Sequence, residues 1–218
     1  MPEAERPPAV AGLLLAAGAG RRFGGPKALA EFDGEPLVRR AVRTLQEAGC
    51  TPIRVVIGAA AAEVRALLPD PVTAVLAEDW QTGMGASLRA GLAALTQLPA
   101  TAAGPSDPGG SGSGLSEAGP GGPVAALIHL VDLPWVGSDI LARVAAHATN
   151  TAVARAAYHG VPGHPVLLGR HWWAEIAGTA QGDRGARDWL AGRTDLALIE
   201  CGDLGDGRDV DRRADLPG

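Results

Sequence analysis

The most informative segment of this chain is Leu13-Leu14-Leu15-Ala16-Ala17-Gly18-Ala19-Gly20-Arg21-Arg22-Phe23-Gly24-Gly25-Pro26-Lys27. An apolar run opens directly into a glycine-rich turn that carries three cationic side chains. Glycine tolerates positive φ and has no Cβ, so the backbone of such a turn can wrap closely around a ligand. The N–H groups of the turn can point at phosphate oxygens, and arginine and lysine can neutralise a polyphosphate. The stretch therefore predicts a nucleoside triphosphate site at the end of a first β-strand.

Two other interpretations of this stretch stay open. The spacing Gly18-x-Gly20-x-x-x-Gly24 approximates a dinucleotide-binding turn. That turn requires an acidic residue near the end of the second strand to hold the ribose. The second predicted strand, Ile53–Ile57, is followed by no acid until Glu63. The other interpretation is a plain strand and turn with two surface arginines.

Length and composition set the broad class of the protein. The chain has 218 residues, of which 46% are hydrophobic and 20% charged, as expected for one globular domain with a proper core. The formal net charge of −5 argues against a nucleic-acid partner, whose binding surface would be basic. The two cysteines, Cys50 and Cys201, lie far apart and have no metal-ligand spacing, which favours free thiols in a reducing compartment.

The N-terminal sequence indicates no targeting segment. Acids and prolines occupy the first eight residues, where a secretory signal would have a basic region. The apolar stretch from Ala9 to Ala19 contains glycines and is too short to span a bilayer. We expect a cytoplasmic protein with no membrane partner.

Strand and helix signals alternate along the chain. This alternation predicts an α/β sandwich with a mostly parallel, Rossmann-like sheet, whose ligands bind at the carboxyl ends of the strands. After the first strand, further strands are predicted at Ile53–Ile57, Val72–Ala77, Ala125–Val131, Ala152–Tyr158, Val166–Leu168 and Leu196–Glu200. Helices are predicted at Leu37–Ala48, Ala61–Leu68, Ala86–Leu98, Asp139–Ala148 and Arg184–Ala191.

One segment, residues 99–123, breaks this alternation. It consists almost entirely of Gly, Pro, Ser and Ala, so it cannot bury enough apolar area to offset its ordering entropy. We expect a flexible, low-complexity insertion within a single domain spanning residues 1–218, because motifs on both sides of it belong to one site.

The glycine-rich stretch resembles the signature of the nucleotidyltransferases that act on molybdopterin and related phosphorylated acceptors. The matching positions are Leu15, Ala16, Ala17, Gly18, Arg22, Gly24, Pro26 and Lys27. Four further segments are similar to the family in the same order: Gly83–Leu92, Val131–Pro134, Gly163–Leu167 and Gly182–Arg187. The branch it most resembles is molybdenum cofactor cytidylyltransferase. The resemblance implies a three-layer fold of the nucleotide-diphospho-sugar transferase type, and transfer of CMP or GMP with release of pyrophosphate.

The resemblance also implies roles for the loop residues. Arg22 and Lys27 would stabilise charge on the triphosphate. The nucleotide would contact Leu15, Ala16, Ala17, Gly18, Gly20, Gly24, Gly83, Gly85 and Ser87. The residues just upstream of Gly83 that can line the same cleft are Glu78, Asp79, Trp80 and Gln81. Because guanylyl members tend to have a second glycine at the position of Ala17, CTP is favoured over GTP as the nucleotide.

The resemblance implies Mg²⁺ as cofactor. Asp132 ends a buried strand and is the first candidate ligand, since Mg²⁺ takes one or two carboxylates plus phosphate oxygens. The family often ends with two acids flanking an aliphatic residue before Thr-Pro. Here Asp209 and Asp211 flank Val210, but arginines follow, so Asp211 is preferred as the second metal ligand over the alternative of a solvated acidic tail.

The acceptor side rests on later motifs. His164, Asp183 and Arg187 are the candidates for binding a phosphorylated acceptor, of which molybdopterin is the family expectation. A molybdenum hydroxylase apoprotein is then a conceivable partner. Two other functions stay open: an NAD(P)-dependent oxidoreductase, and a non-catalytic chaperone that passes a cofactor to such a hydroxylase. His129, inside an apolar strand, is expected to be a hydrogen-bonded core histidine.

Overall fold

The architecture is given by a computed structural model that describes residues 8–98 and 122–216. The strands are β1 (Val10–Leu15), β2 (Glu31–Phe32), β3 (Glu35–Pro36), β4 (Ile53–Ile57), β5 (Thr73–Leu76), β6 (Ala125–Leu130), β7 (Val153–Tyr158), β8 (Val161–Gly169) and β9 (Ala197–Glu200). The helices are α1 (Leu37–Glu47), α2 (Ala61–Ala66), α3 (Met84–Thr96), α4 (Ser138–Ala145), α5 (Trp173–Thr179) and α6 (Arg187–Ala191).

A seven-stranded sheet forms the middle of the molecule, in the order β5-β4-β1-β6-β8-β7-β9. Every neighbouring pair is parallel except those made by β8, which runs antiparallel to β6 and β7. All six residues of β1 are buried, as a central parallel strand covered on both faces requires. The carboxyl ends of β4, β1 and β6 therefore meet at one edge of the sheet.

Helices cover both faces of the sheet. On one face, Leu14 of β1 packs in a core with residues of α1, α2 and α4, including Leu45, Val64 and Ile140. On the other face, Leu13 of β1 packs with residues of α3, α5 and α6, which include Leu92, Trp173, Ile176 and Leu190. The result is the three-layer α/β sandwich with a mostly parallel sheet that the sequence predicts.

The structure adds elements that the pattern did not indicate. The two-residue strands β2 and β3 form a small hairpin, and α5 was not predicted because its seven residues are too few to establish a helical period. Strand β8 begins at Val161, earlier than predicted, and α3 begins at Met84. The predicted helix Arg184–Ala191 is divided by Gly185, whose φ of 54° separates a 3₁₀ turn from α6.

Nearly all of the insertion predicted at 99–123 lies outside the described residues. Within residues 8–98 and 122–216, no helix is both long enough and apolar enough to cross a membrane.

Candidate functional site

A cleft with a volume of about 460 Å³ lies at the carboxyl edge of the sheet. It is centred on the ends of β1 and β6, which are joined beyond the sheet by a hydrogen bond from Val131 N–H to the Leu15 carbonyl (3.2 Å). Its lining includes the glycine loop after β1, the residues after β6, the start of α3 and one residue near the C-terminus. The cleft occupies the position where open parallel sheets bind their ligands.

The glycine loop is closed by Gly20. Its carbonyl accepts hydrogen bonds from the N–H groups of Gly24 (2.9 Å) and Gly25 (3.1 Å). Gly20 has a φ of 58°, and a Cβ there would lie 1.9 Å from the Gly25 carbonyl oxygen. Gly18 differs, since a Cβ on it would meet no protein atom within 4 Å. Gly20 thus shapes the loop, whereas Gly18 leaves open space where the loop borders the cleft.

Two acids and two basic residues meet at one end of the cleft. The Lys27 ammonium lies 2.8 Å from Oδ2 of Asp132 and 3.8 Å from Oδ1 of Asp211. The Lys27 and Asp132 side chains are only 16% and 19% exposed. Arg22, whose side chain is 82% exposed, lies 3.5 Å from the Asp211 carboxylate and is free to reorient. This charged end can bind both phosphate oxygens and a divalent cation.

Asp211 is held in place by its backbone. The N–H of Val210, which is fully buried, donates to the carbonyl of Asp132 (2.9 Å). The carboxylate of Asp215 accepts from the N–H groups of Asp211 (2.9 Å) and Arg212 (2.7 Å). These contacts place Asp211 in the cleft lining. Asp209 is exposed and lies outside that lining.

The other end of the cleft is formed by the segment that leads into α3. Trp80, Gln81, Met84 and Ser87 line it, and Gly83 has a φ of 118° at the helix N-terminus. A Cβ on Gly83 would lie 2.4 Å from the backbone carbon of Gly182, and one on Gly85 would lie 2.7 Å from the backbone nitrogen of Gln181. These two glycines therefore let α3 pack against the 181–185 turn, which brings Asp183 into the cleft lining.

A second cavity of about 210 Å³ adjoins the first. The two cavities share the lining residues Leu15, Met84, Leu130 and Asp183. Its polar wall contains Arg155, His164 and Arg187, and its apolar wall includes Leu88, Ile128, Val166, Leu168 and Leu190.

The second cavity is cationic. Arg155 donates from Nε to the Gly163 carbonyl (3.0 Å), and neither it nor Arg187 has an ion-pair partner among the described residues. Burial, followed by the nearby charge of Arg187, lowers the pKa of Arg155. Burial, followed by the charge of Arg155, lowers the pKa of His164 to about 4, so this histidine is neutral at pH 7. Arg155 is half-buried and Arg187 is exposed, and two guanidinium groups at one cavity, without an ion-pair partner in the described part of the chain, favour binding of an anion.

The residues predicted from the sequence are divided between these cavities. The first cavity is lined by Leu15, Ala17, Gly18, Gly20, Arg22, Lys27, Gly83, Ser87, Asp132, Asp183 and Asp211. His164 and Arg187 line only the second. Ala16 is buried in the core, Gly24 closes the loop, and Gly85 packs against Gln181, so these three lie outside both linings.

Sequence reasoning missed Arg155. The only signal was an arginine within a strand of otherwise apolar residues, Val153–Tyr158. The expectation for His129 was also wrong in part, because its Nδ1 is buried without a hydrogen-bond partner in the described structure. Burial lowers the pKa of His129 to about 3, with a smaller effect from His164. His129 is thus a neutral core residue whose Nδ1 has no hydrogen-bond partner among the described residues.

The donor set is suited to Mg²⁺ bound together with a nucleotide. In residues 8–98 and 122–216, no three His, Cys, Asp or Glu side chains are grouped to hold a metal ion by themselves. Asp132 and Asp211 offer two carboxylates, which lie 2.8 Å and 3.8 Å from the Lys27 ammonium. Mg²⁺ often takes one or two carboxylates and completes its shell with phosphate oxygens and water.

Comparison with solved structures supports the fold. Rv0371c from Mycobacterium tuberculosis is 25% identical and superposes with a TM-score of 0.71, covering 95% of each chain. A nucleotidyl transferase from Methanothermobacter thermautotroptrophicus is 21% identical with a TM-score of 0.70, covering 95% of this chain and 94% of the other. The fold is the Rossmann-like one of the nucleotide-diphospho-sugar transferase type.

Comparison of sequences gives the family. Nicotine blue oxidoreductase from Paenarthrobacter nicotinovorans is 34% identical over 215 residues, covering 94% of this chain and 93% of the relative. The family model described as the MobA-like NTP transferase domain matches residues 12–198 and so includes the glycine loop, Asp132 and the segments Gly163–Leu167 and Gly182–Arg187. The chain therefore belongs to the family of MobA-like NTP transferase domains.

Proposed function

We propose that this protein is a metal-dependent cytidylyltransferase that transfers CMP from CTP to a phosphorylated acceptor and releases pyrophosphate. The observation that carries the proposal is the Lys27 ammonium 2.8 Å from the Asp132 carboxylate, with Asp211 and Arg22 beside them. Motifs on both sides of the 99–123 segment contribute to this cluster. We therefore also propose that the whole chain acts as one nucleotidyltransferase domain.

In the proposed reaction, a phosphate oxygen of the acceptor attacks the α-phosphorus of the nucleotide. A new phosphorus–oxygen bond forms as the bond to the β-phosphate breaks, and pyrophosphate leaves. The acceptor phosphate is already ionised at neutral pH, so no strong general base is needed. Lys27, Arg22 and the loop N–H groups stabilise the negative charge that shifts toward the leaving group.

Asp132 and Asp211 are the proposed ligands of the divalent cation, with Mg²⁺ as the expected ion. When bound, the cation neutralises charge on the triphosphate and polarises the phosphorus that is attacked. Support comes from the two carboxylates in the cleft and from a solved complex of the Mycobacterium tuberculosis Rv0371c protein with manganese. The Lys27 ammonium is then available to the phosphates.

The acceptor is proposed to occupy the second cavity, with molybdopterin as the first candidate. Arg187 and Arg155 would receive an anionic group, Asp183 would accept hydrogen bonds, and His164 would position the acceptor as a neutral imidazole. The apolar wall is suited to a flat ring system. The preference for CTP rests on Ala17, which lines the nucleotide cleft. A molybdenum hydroxylase apoprotein stays the candidate recipient of the product.

The test is pyrophosphate release from CTP, GTP, ATP and UTP, with and without Mg²⁺, in the presence of molybdopterin. The proposal expects Mg²⁺-dependent release that needs the acceptor and is fastest with CTP. Release that is equally fast without the acceptor would indicate hydrolysis instead. No release with any nucleotide would contradict the proposed transferase.

An oxidoreductase is the second candidate, because a relative with 34% identity over nearly the whole chain is named nicotine blue oxidoreductase. The glycine loop can bind the pyrophosphate of NAD(P)H by the same backbone contacts that suit a triphosphate. Oxidation of NAD(P)H, followed by its absorbance in the presence of nicotine blue, tests this alternative. Turnover that is unaffected by Asp132→Asn and by metal chelation would favour the oxidoreductase.

A further inference from the structure

The nucleotide cleft has two chemically different ends, which lie above different strands. Lys27, Asp132 and Asp211 lie beside the end of β6, on one side of β1. Trp80 lies against Gly58, directly after β4, on the opposite side of β1. The orientation of a bound nucleotide rests on the proposed function. A nucleoside triphosphate matches this difference in one orientation, with its phosphates at the charged end and its base at the end near Trp80.

Charge supports the same orientation. The lining near Trp80 comprises Gln81, Gly83, Met84 and Ser87, with Asp183 close to Gly83. Among the described residues, none of the lining residues from Trp80 to Ser87 is charged, and the three cations of the lining, Arg21, Arg22 and Lys27, all belong to the glycine loop. The charge next to Gly83 is the Asp183 carboxylate. A carboxylate repels phosphate but accepts hydrogen bonds from a base or a ribose.

Gly58 creates the seat for Trp80. A Cβ on Gly58 would lie 2.5 Å from Cγ, 2.7 Å from Cδ1 and 2.8 Å from Cβ of Trp80, so no other residue at this position leaves room for the indole. Trp80 is partly buried against the core on the α3 face, yet part of it borders the cleft. Trp80 therefore packs against Gly58 and also borders the cleft.

The turn that carries Trp80 is fixed at several points. The Gly83 N–H donates to the Trp80 carbonyl (3.1 Å), and the Thr82 hydroxyl donates to the Asp79 carbonyl (2.8 Å). Arg89 of α3 donates to the Asp79 carboxylate (2.7 Å) and to the Ala180 carbonyl (2.6 Å). A side chain held in one position before the ligand arrives loses little entropy on binding.

We infer that Trp80, seated on Gly58, is the residue that contacts the nucleobase and contributes most of the base-dependent part of nucleotide affinity. An indole face stacks on a base, and this contact costs no reorganisation when the aromatic ring is already in place. Trp80 contributes nothing to the binding of the phosphates, which are held at the other end of the cleft.

The experiment compares two probes by calorimetry in the presence of Mg²⁺: CTP, and inorganic tripolyphosphate, which has the phosphates without base or sugar. Trp80→Ala should lower the affinity for CTP roughly tenfold or more, as loss of a base–aromatic stack does. The affinity for tripolyphosphate should stay unchanged. Gly58→Ala, which displaces Trp80 without removing it, should reproduce this pattern. Trp135→Phe is the matched control, because Trp135 packs on Phe32 outside the cleft.

Fluorescence supplies an independent measurement that tolerates a conservative variant. Trp80 is the one tryptophan of the five that lines the cleft, so CTP should quench the emission of the wild-type protein and of Trp135→Phe, but not of Trp80→Phe. Equal weakening of both probes by Trp80→Ala, or quenching that survives in Trp80→Phe, would overturn the inference while leaving the proposed transferase intact. Failure of the wild-type protein to bind CTP or any other nucleoside triphosphate would overturn both.

Discussion

The ammonium group of Lys27 lies 2.8 Å from Oδ2 of Asp132, although 105 residues separate them in the sequence. Their meeting follows from the topology, because the glycine loop leaves β1 and Asp132 follows β6, and these two strands are parallel neighbours. The cation and the carboxylate neutralise each other where both are mostly buried. When both ligands bind, a triphosphate can take the place of the carboxylate beside Lys27, and a divalent cation can take the place of the ammonium beside Asp132.

Asp132→Asn should abolish most of the proposed activity. The amide keeps the size of the side chain but removes the charge, so pyrophosphate release should fall by about 100-fold or more, as for loss of a group that stabilises transition-state charge. The melting temperature should change little, which separates loss of chemistry from loss of folding. Undiminished release in Asp132→Asn would remove Asp132 from the mechanism.

Asp211→Asn and Asp209→Asn should differ sharply. Asp211 lies 3.8 Å from the Lys27 ammonium, whereas the exposed Asp209 lies outside the cleft. We expect the Mg²⁺ concentration for half-maximal release to rise about tenfold in Asp211→Asn, because one charge-assisted ligand is lost. Asp209→Asn should behave like the wild-type protein. Equal effects of the two changes would mean that they act through the general charge of the tail.

Gly18→Ala and Gly20→Ala test the loop. A Cβ on Gly20 would lie 1.9 Å from a backbone oxygen and would require a φ of 58°, so Gly20→Ala should destabilise the fold by about 1 kcal/mol or more. A Cβ on Gly18 meets no protein atom within 4 Å, so Gly18→Ala should keep its melting temperature. It should nevertheless lower the affinity for CTP measured by calorimetry, because the methyl group enters the space that the ligand needs. Full CTP affinity in Gly18→Ala would show that the loop does not enclose the nucleotide.

Arg155→Met should affect the acceptor and not the nucleotide. Removing this guanidinium takes away a charge that has no ion-pair partner in the described structure, so the protein should fold normally. The KM for molybdopterin should rise about tenfold or more, as for loss of a charge-assisted contact, and the KM for CTP should stay constant. Arg54→Met, at the β4–β5 pair, is the control. A parallel change in both KM values would place Arg155 outside the acceptor site.

Stability should decrease with acidification through the buried histidines. The folded protein keeps His129 neutral with a pKa of about 3, whereas the unfolded chain protonates it near 6.5. Below pH 6.5 the unfolded state therefore binds more protons, and the free energy of unfolding falls by up to about 1.4 kcal/mol per pH unit for this group. His164, with a pKa of about 4, adds to the fall.

Urea denaturation at pH 7.5, 6.0 and 5.0 measures this effect before most carboxylates titrate. His129→Leu should lose part of the slope between pH 6.5 and 5, and the remainder belongs to His164. The same slope in the variant and in the wild-type protein would contradict a buried neutral imidazole at position 129.

The sheet was predictable because its strands are short apolar runs at regular spacing. Strand Ile53–Ile57 agrees with the prediction at both ends, since a proline precedes it and a glycine follows it. Helix α5 was not, because its buried Trp173 and Ile176 have few apolar companions within one short helix. Tertiary contacts with residues distant in the sequence stabilise such short helices, and these contacts cannot be inferred from the periodicity of one sequence.

The charged end of the cleft could also be predicted from the sequence, because its residues directly follow predicted strands. The lining of the second cavity could be predicted only in part. Arg155 lies in the middle of β7, where an arginine signals nothing until β8 and the 181–187 segment are packed beside it. Of the four residues expected beside Gly83, Trp80 and Gln81 line the cleft, whereas Glu78 and Asp79 do not. The seat of Trp80 was not visible in the sequence, because it depends on the missing Cβ of Gly58, 22 positions earlier in the chain.

The hydrogen bond from Val210 N–H to the Asp132 carbonyl makes the proposed pair of metal-binding acids depend on the docking of one segment. Every strand of the sheet precedes residue 201, so neither the sheet nor its glycine loop includes the segment that carries Asp211. The second carboxylate joins the cleft only when the segment around Val210 docks beside Asp132. Undocking of this one segment would therefore remove one of the two proposed metal-binding acids while the sheet and the glycine loop stay folded.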